Sequence, residues 1–70
     1  MMPLTYSEKN KELIILKIGG NEDVRRHLAN LGLTVGGTLT VINSLCGNVI
    51  VKVKESRIAL NEDLARKIMV

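Results

Sequence analysis

Short apolar runs, each followed by glycines or polar residues, divide the chain into structural elements. The first run is "LIILKI", Leu13 to Ile18, which is rich in β-branched residues and ends at the pair Gly19-Gly20. A short apolar run bounded by turn residues is typical of a buried strand, so the pattern predicts one strand over 13–18. Near the start of the chain, Pro3 is expected only in a brief edge pairing, because proline has no N–H for a strand interior.

A helix is predicted between this strand and the next cluster of glycines. Asn21 precedes Glu22-Asp23, as expected for an N-cap followed by acids that favour the positive helix end. Apolar residues then recur on one face at the helical spacing: Val24, Leu28 and Leu31. Gly32 fits a left-handed C-terminal cap, with Leu33 folding back onto the last turn. The pattern predicts a helix over 22–31.

The second half of the chain alternates apolar and polar residues with a period of two. After the turn residues Val35-Gly36-Gly37, the segment "TLTVIN" places Leu39 and Val41 on one face, and "NVIVKVK" does the same with three valines. These segments predict a hairpin with its turn within 45–48, and "SRIAL" predicts a short final strand. Asn61 then marks a second, shorter helix, with three apolar residues expected on one side: Leu64, Ala65 and Ile68.

Several short strands with small helices favour a mostly β fold. The chain has 70 residues, which leaves no room for crossover helices between parallel strands, and it is expected to form a single domain over 1–70. Tyr6 is the only aromatic residue, so the core must consist of Leu, Ile, Val, Ala and Met. The sequence therefore predicts a small antiparallel barrel with one inserted helix and a short C-terminal helix.

The composition argues against catalysis. The only histidine is His27 on the predicted helix, and the only cysteine is Cys46 in the predicted hairpin loop, so nothing brings a nucleophile and a base together. A structural zinc site needs about four ligands, and neighbouring acids diverge around a helix. No apolar run approaches the ~20 residues that span a bilayer, and no secretory signal is evident, so a cytoplasmic protein without enzyme activity or cofactor is expected.

The order of the motifs resembles the FeoA family of ferrous iron transport accessory proteins. The resemblance lies in "R-x-x-L-x-x-L-G-L-x-x-G-x-x-L-x-V", from Arg25 to Val41, followed by "GNVIVKV", "SRIAL" and "ARKIMV". It implies an SH3-like barrel, as also found in the C-terminal domain of DtxR-type metal-dependent repressors. Family members usually carry proline where this chain has Val35, which implies a looser turn before Gly36.

The resemblance also implies a function and a partner. It implies a small cytosolic protein that docks on FeoB, a membrane iron permease with a cytosolic GTP-binding domain, and so meets the membrane only through that partner. For the docking surface, Leu33 and Met69 are candidate apolar contacts, and Arg25 and Arg26 are candidates for a polar rim. The alternative for Leu33 and Met69 is that they only close the barrel. Gly32 and Gly36 are expected to be structural turn residues.

Two other functions remain open from the sequence. The net charge of +3 and the alternating Lys52 and Lys54 suggest, as one alternative, a small barrel that binds nucleic acid. However, a chain with one aromatic residue has no stacking platform for bases, so no nucleic acid is expected as a partner. Direct binding of a transition metal through His27, Cys46 or the acidic pairs would make the chain a metal-responsive regulator.

Overall fold

The computed structural model describes residues 1–70, which form six strands and two α-helices. The strands are β1 (Glu12–Ile14), β2 (Lys17–Ile18), β3 (Thr38–Leu45), β4 (Asn48–Val53), β5 (Ser56–Leu60) and β6 (Ile68–Met69). The helices are α1 (Glu22–Asn30) and α2 (Glu62–Ala65), and a single turn of 3-10 helix covers Leu4–Tyr6. The predicted mostly β class, with one inserted helix and one short helix near the C-terminus, is confirmed.

All strand pairing is antiparallel and falls into two sheets. One sheet has the order β1-β3-β4-β5, and the other consists of β2 and β6. Pro3 forms an isolated bridge to Met69 on the free side of β6, which agrees with the predicted edge pairing. Met2 and Val70 each donate a backbone N–H to the carbonyl of the other at 2.9 Å, so the start of the chain extends the smaller sheet.

The core is entirely apolar and contains no aromatic ring. Thirteen residues are buried, and no polar or charged residue is among them. The period-two pattern is confirmed, because its inward positions are buried: Leu39, Val41, Val49, Val51 and Val53. Tyr6, by contrast, is 76% exposed. Burial of aliphatic side chains between the two sheets and α1 therefore stabilises the fold.

Helix α1 begins and ends where the sequence predicted, within one residue. The Asn21 Oδ1 accepts a hydrogen bond from the Val24 N–H at 2.9 Å. At the other end Gly32 has a φ of +95°, and the Leu33 N–H donates to the Leu28 carbonyl at 2.9 Å. This is the predicted glycine cap, and it satisfies carbonyls that the helix leaves without partners.

The predicted continuous strand over 13–18 is wrong, because the chain changes sheets within it. β1 pairs with β3 and β2 pairs with β6, and the intervening Ile15 donates to the Gly37 carbonyl while Leu16 donates to the Met69 carbonyl. A segment shared by two sheets must turn a corner, so its side chains cannot all face one core. Ile15 is buried, but Leu16 is 52% exposed.

The second helix is shorter than the apolar pattern implied. Asn61 caps it as predicted, with Oδ1 accepting from the Leu64 N–H at 2.9 Å, but the helix ends at Ala65. Ile68, expected on the same helix face, instead lies in β6 and pairs with Ile18. The chain leaves the helix after one turn and pairs with the edge of β2 as β6. Burial of Ile68 in the core stabilises this path.

Candidate functional site

Two surface hollows flank the ribbon formed by β2 and β6. The first, called here the helix groove, lies between α1, β2 and the segment after the glycine cap, and has a volume of about 360 Å³. The second, called the terminal hollow, lies between the 3-10 turn, α2 and the Cys46-Gly47 hairpin tip, and has a volume of about 600 Å³. They border one ribbon, because Lys17 lines the groove, Met69 lines the hollow, and these two residues are cross-strand partners.

The helix groove has an apolar floor and apolar walls. Leu33 and Ile18 form the floor and are buried. Leu16 and Val35 stand on its sides with 52% and 64% of their surface exposed, and Ala29 adds a small exposed side chain from α1. Exposed aliphatic side chains that line one hollow together mark a candidate docking surface for another protein.

Sheet exchange at the corner between β1 and β2 explains why these side chains are exposed. Two backbone hydrogen bonds hold the chain segments together at one end of the groove. The Gly36 N–H donates to the Ile15 carbonyl at 2.8 Å, and the Ile15 N–H donates to the Gly37 carbonyl at 2.9 Å. Beyond that point β2 pairs with β6, whereas the segment carrying Val35 leads back to the end of α1. Leu16 and Val35 are therefore left on either side of a gap that no other element fills.

Two cations stand beside this apolar surface. Lys17 from β2 and Arg25 from α1 line the groove, both are exposed, and no aspartate or glutamate lines it. Neither cation has a carboxylate within 4.0 Å, because the only ion pair in the molecule joins Arg66 to Glu62. The groove thus combines an apolar centre with a rim of unpaired positive charge.

The terminal hollow is more polar. It contains the exposed Arg66–Glu62 pair, with 3.9 Å between nitrogen and oxygen, together with the exposed ring of Tyr6 and the half-buried Met69. The Glu62 backbone N–H donates to Asn48 Oδ1 at 3.1 Å, which holds the hairpin tip against α2. An aromatic ring beside a polar pair is well suited to the edge of a protein interface.

The predicted docking residues are divided between these surfaces. Arg25 lines the helix groove and Met69 lines the terminal hollow, whereas Arg26 is exposed on α1 but lines neither. The expectation that Leu33 is an exposed contact is wrong: its exposure is 0%, because the glycine cap folds it under α1 into the core. Gly32 and Gly36 have φ values of +95° and +88°, so their predicted role as turn residues is confirmed.

The sequence did not single out Leu16 or Val35, the most exposed apolar residues of the groove. Leu16 lies within the apolar run 13–18, which was predicted to be one buried strand. Val35 stands where the resemblance to the family implies proline, and this departure was the one local signal at the position. Lys17 was not among the predicted docking residues either, because it lies within the same apolar run.

The residues considered for metal or nucleic-acid binding are exposed. His27 lies on α1 and Cys46 at the hairpin tip, and the molecule has no group of three or more His, Cys, Asp or Glu side chains positioned to hold a metal ion. Lys52 and Lys54 are exposed beside β5, where Arg57 lies directly opposite Lys52. Neither helix is long and apolar enough to cross a membrane. Nucleic-acid binding, the alternative to the expected absence of a nucleic-acid partner, remains untested.

Comparison with known proteins extends over the whole fold. A protein of Methanocaldococcus jannaschii with the provisional name Fe(2+) transport protein A is 37% identical over 70 residues, covering 100% of this chain and 85% of the relative. The crystal structure of an iron uptake regulatory protein, FeoA, is 33% identical with a TM-score of 0.88, covering 99% of this chain and 92% of that one.

A manganese-dependent transcriptional repressor shares the fold alone, at 17% identity and a TM-score of 0.81, with 94% of this chain matching 38% of the repressor. The SH3-like architecture and its occurrence in metal-dependent repressors, both implied by the resemblance, agree with these similarities. The model of the FeoA domain family matches residues 2–70. With that match over nearly its full length, the chain belongs to the FeoA family.

Proposed function

We propose that the chain is a cytoplasmic accessory protein of ferrous iron uptake that docks on the GTP-binding domain of an FeoB-type permease. Membership of the FeoA family supports the link with ferrous iron transport. The observation that carries the docking part is the helix groove, where Leu16 and Val35 are exposed beside unpaired Lys17 and Arg25. Such a surface binds another protein rather than transforming a small molecule.

The chain acts in this proposal as a regulator and does not itself carry iron. Its core contains no polar or charged residue, and no cluster of three metal-ligating side chains is present to coordinate a ferrous ion in transit. The groove is shallow and mainly aliphatic. A partner that covers it gains binding free energy by removing this apolar surface from water. Iron is therefore the cargo of the partner, and the effect of this chain on transport comes from contact with that partner.

The direct test is binding of the purified chain to the isolated cytosolic domain of the permease, measured by calorimetry with GDP and with a GTP analogue. Val35→Glu places a charge in the apolar part of the groove and should weaken binding at least tenfold, because the charge loses its water on docking. Ile50→Glu is the matched control, since Ile50 is also an exposed aliphatic residue but lies on the solvent face of the larger sheet.

Uptake of ferrous iron provides the second measurement. Under iron limitation, a strain without the chain should differ from the wild type in its rate of ferrous iron uptake. The Val35→Glu variant should behave like the deletion strain, and Ile50→Glu should behave like the wild type. Absence of binding to the cytosolic domain in both nucleotide states, together with normal uptake in the deletion strain, would refute the proposal.

A further inference from the structure

We propose that the helix groove takes an acidic amphipathic segment, in which one or two apolar side chains enter between Leu16 and Val35 and flanking carboxylates pair with Lys17 and Arg25. The inference rests on the proposed function only in assigning that segment to the partner permease. It concerns the chemistry of the groove itself, and that chemistry can be tested without the permease.

The charges at the groove determine the sign of the partner. Lys17 and Arg25 are the only charged residues that line it, and neither forms an ion pair within the molecule. Glu22 lies one helical turn before Arg25, but no ion pair joins them, and Glu22 belongs to the first turn, where an acid favours the helix N-terminus. Carboxylates from a partner would therefore meet two cations that have no competing internal partner.

The apolar surface determines the rest of the partner's chemistry. Leu16, Ala29 and Val35 are exposed, and the floor beneath them is aliphatic. A partner that offered only anionic groups, such as a phosphate backbone, would leave these side chains in contact with water. A segment with apolar side chains between acidic ones covers the aliphatic surface and pairs with both cations at once, as amphipathic segments do in grooves of other proteins.

The size of the hollow agrees with this occupant. A volume of about 360 Å³ lies near the lower end of roughly 300–1,000 Å³ that is typical of ligand sites, so it admits one or two side chains and no folded element. The walls come from α1 and from the segment after its glycine cap, both fixed by backbone hydrogen bonds. The groove is therefore largely formed before the partner arrives.

The test uses the full chain labelled with 15N and two synthetic peptides. In the first peptide two leucines are flanked by glutamates, and in the second every glutamate is replaced by lysine. The acidic peptide should shift the amide signals of Leu16, Lys17 and Val35, and the lysine peptide should leave them unchanged. Added salt should weaken binding of the acidic peptide, because exposed charge pairs are screened.

Variants separate the two cations from the rest of the positive surface. Lys17→Ala and Arg25→Ala should each weaken binding of the acidic peptide roughly two- to fivefold, as expected for exposed ion pairs. Lys54→Ala, which removes a cation from the tight turn between β4 and β5, should leave binding unchanged. Each variant is checked by its amide spectrum, so that a loss of binding is not confused with a loss of fold.

Several outcomes would overturn the inference: no binding of the acidic peptide, equal binding of both peptides, or signal shifts located away from the groove. If the amide signals at the groove shift with protein concentration in the absence of peptide, the surface binds a second copy of this chain. That outcome also overturns the inference. The proposed function fails separately. If the acidic peptide binds the groove and the permease domain does not bind, the inference stands alone, and if the domain binds the chain but the acidic peptide does not bind the groove, only the inference fails.

Discussion

Gly32 and Gly36 both have a left-handed backbone, but their surroundings differ. A Cβ atom at Gly36, φ +88°, would meet nothing within 4 Å, whereas one at Gly32, φ +95°, would lie 3.3 Å from Cγ1 of the buried Val53. We expect Gly36→Ala to lower the free energy of unfolding by about 1 kcal/mol through backbone strain alone. Gly32→Ala adds crowding in the core, so it should cost about 2–3 kcal/mol.

Chemical denaturation of both variants measures this difference, and Gly19→Ala is the control. The φ of Gly19 lies outside the left-handed region, and a Cβ there would make only an ordinary contact with the Lys67 carbonyl at 3.6 Å. Its stability should therefore match that of the wild type within about 0.5 kcal/mol. Equal costs at Gly32 and Gly36 would show that Val53 can move aside and that crowding plays no part.

The β3–β4 hairpin turns through an unusual residue. Cys46 and Gly47 occupy the two loop positions with φ values of +53° and +84°, a conformation that Asn-Gly favours. Cys46→Asn should therefore raise the free energy of unfolding by about 0.5 kcal/mol, because asparagine tolerates positive φ better than cysteine does. Thermal unfolding measures the change, with Cys46→Val as the control that should destabilise. An unchanged or lower melting temperature for Cys46→Asn would contradict the prediction.

At the scale of elements, the corner between β1 and β2 carries the clearest prediction. Ile15 is 1% exposed and Leu16 is 52% exposed, although they are neighbours in one apolar run. Ile15→Ala should cost about 2–5 kcal/mol, since it leaves a cavity in the core. Leu16→Ala should cost less than about 1 kcal/mol, because half of that side chain already lies in water. Similar losses at both positions would indicate a continuous buried strand.

The sequence predicted the elements whose signals are local. Asn21 and Gly32 lie next to the helix they delimit, and the caps they form depend on residues three or four positions away, so α1 was predicted within one residue. The corner at Leu16 depends on pairing with Met69, which lies about fifty residues further along the chain. An apolar run looks the same whether it stays in one sheet or changes sheets, so no local pattern could reveal the break.

The same reasoning explains which residues of the candidate docking surface were predicted. Arg25 was found because a cation on an exposed helix face follows from helical periodicity. For Leu33 the sequence left two alternatives, an exposed contact or closure of the barrel, because the depth of a residue after a glycine cap depends on what packs above it. Here α1 and the sheets enclose it. Exposure of Leu16 and Val35 follows from the divergence of two segments, which is a property of the tertiary fold.

On the scale of the whole molecule, the small β2–β6 ribbon organises the surface. Its inner side chains, Ile18 and Ile68, enter the core, while Lys17 and Met69 face outward between the helix groove and the terminal hollow. Pairing of Met2 with Val70 brings the two chain ends to the same ribbon. A partner seated over the ribbon would therefore touch residues from both ends of the sequence and from α1.

This arrangement predicts the footprint of the permease domain on the chain. If the partner spans the ribbon, Leu16→Glu in the helix groove and Tyr6→Glu in the terminal hollow should each weaken binding, by about tenfold for the groove and by less at the more polar hollow. Both side chains are at least half exposed, so the fold should tolerate either change. Because the two sites border different hollows, their effects on the binding free energy should add in the double variant. Calorimetry measures all three, and wild-type affinity for Tyr6→Glu would restrict the partner to the helix groove.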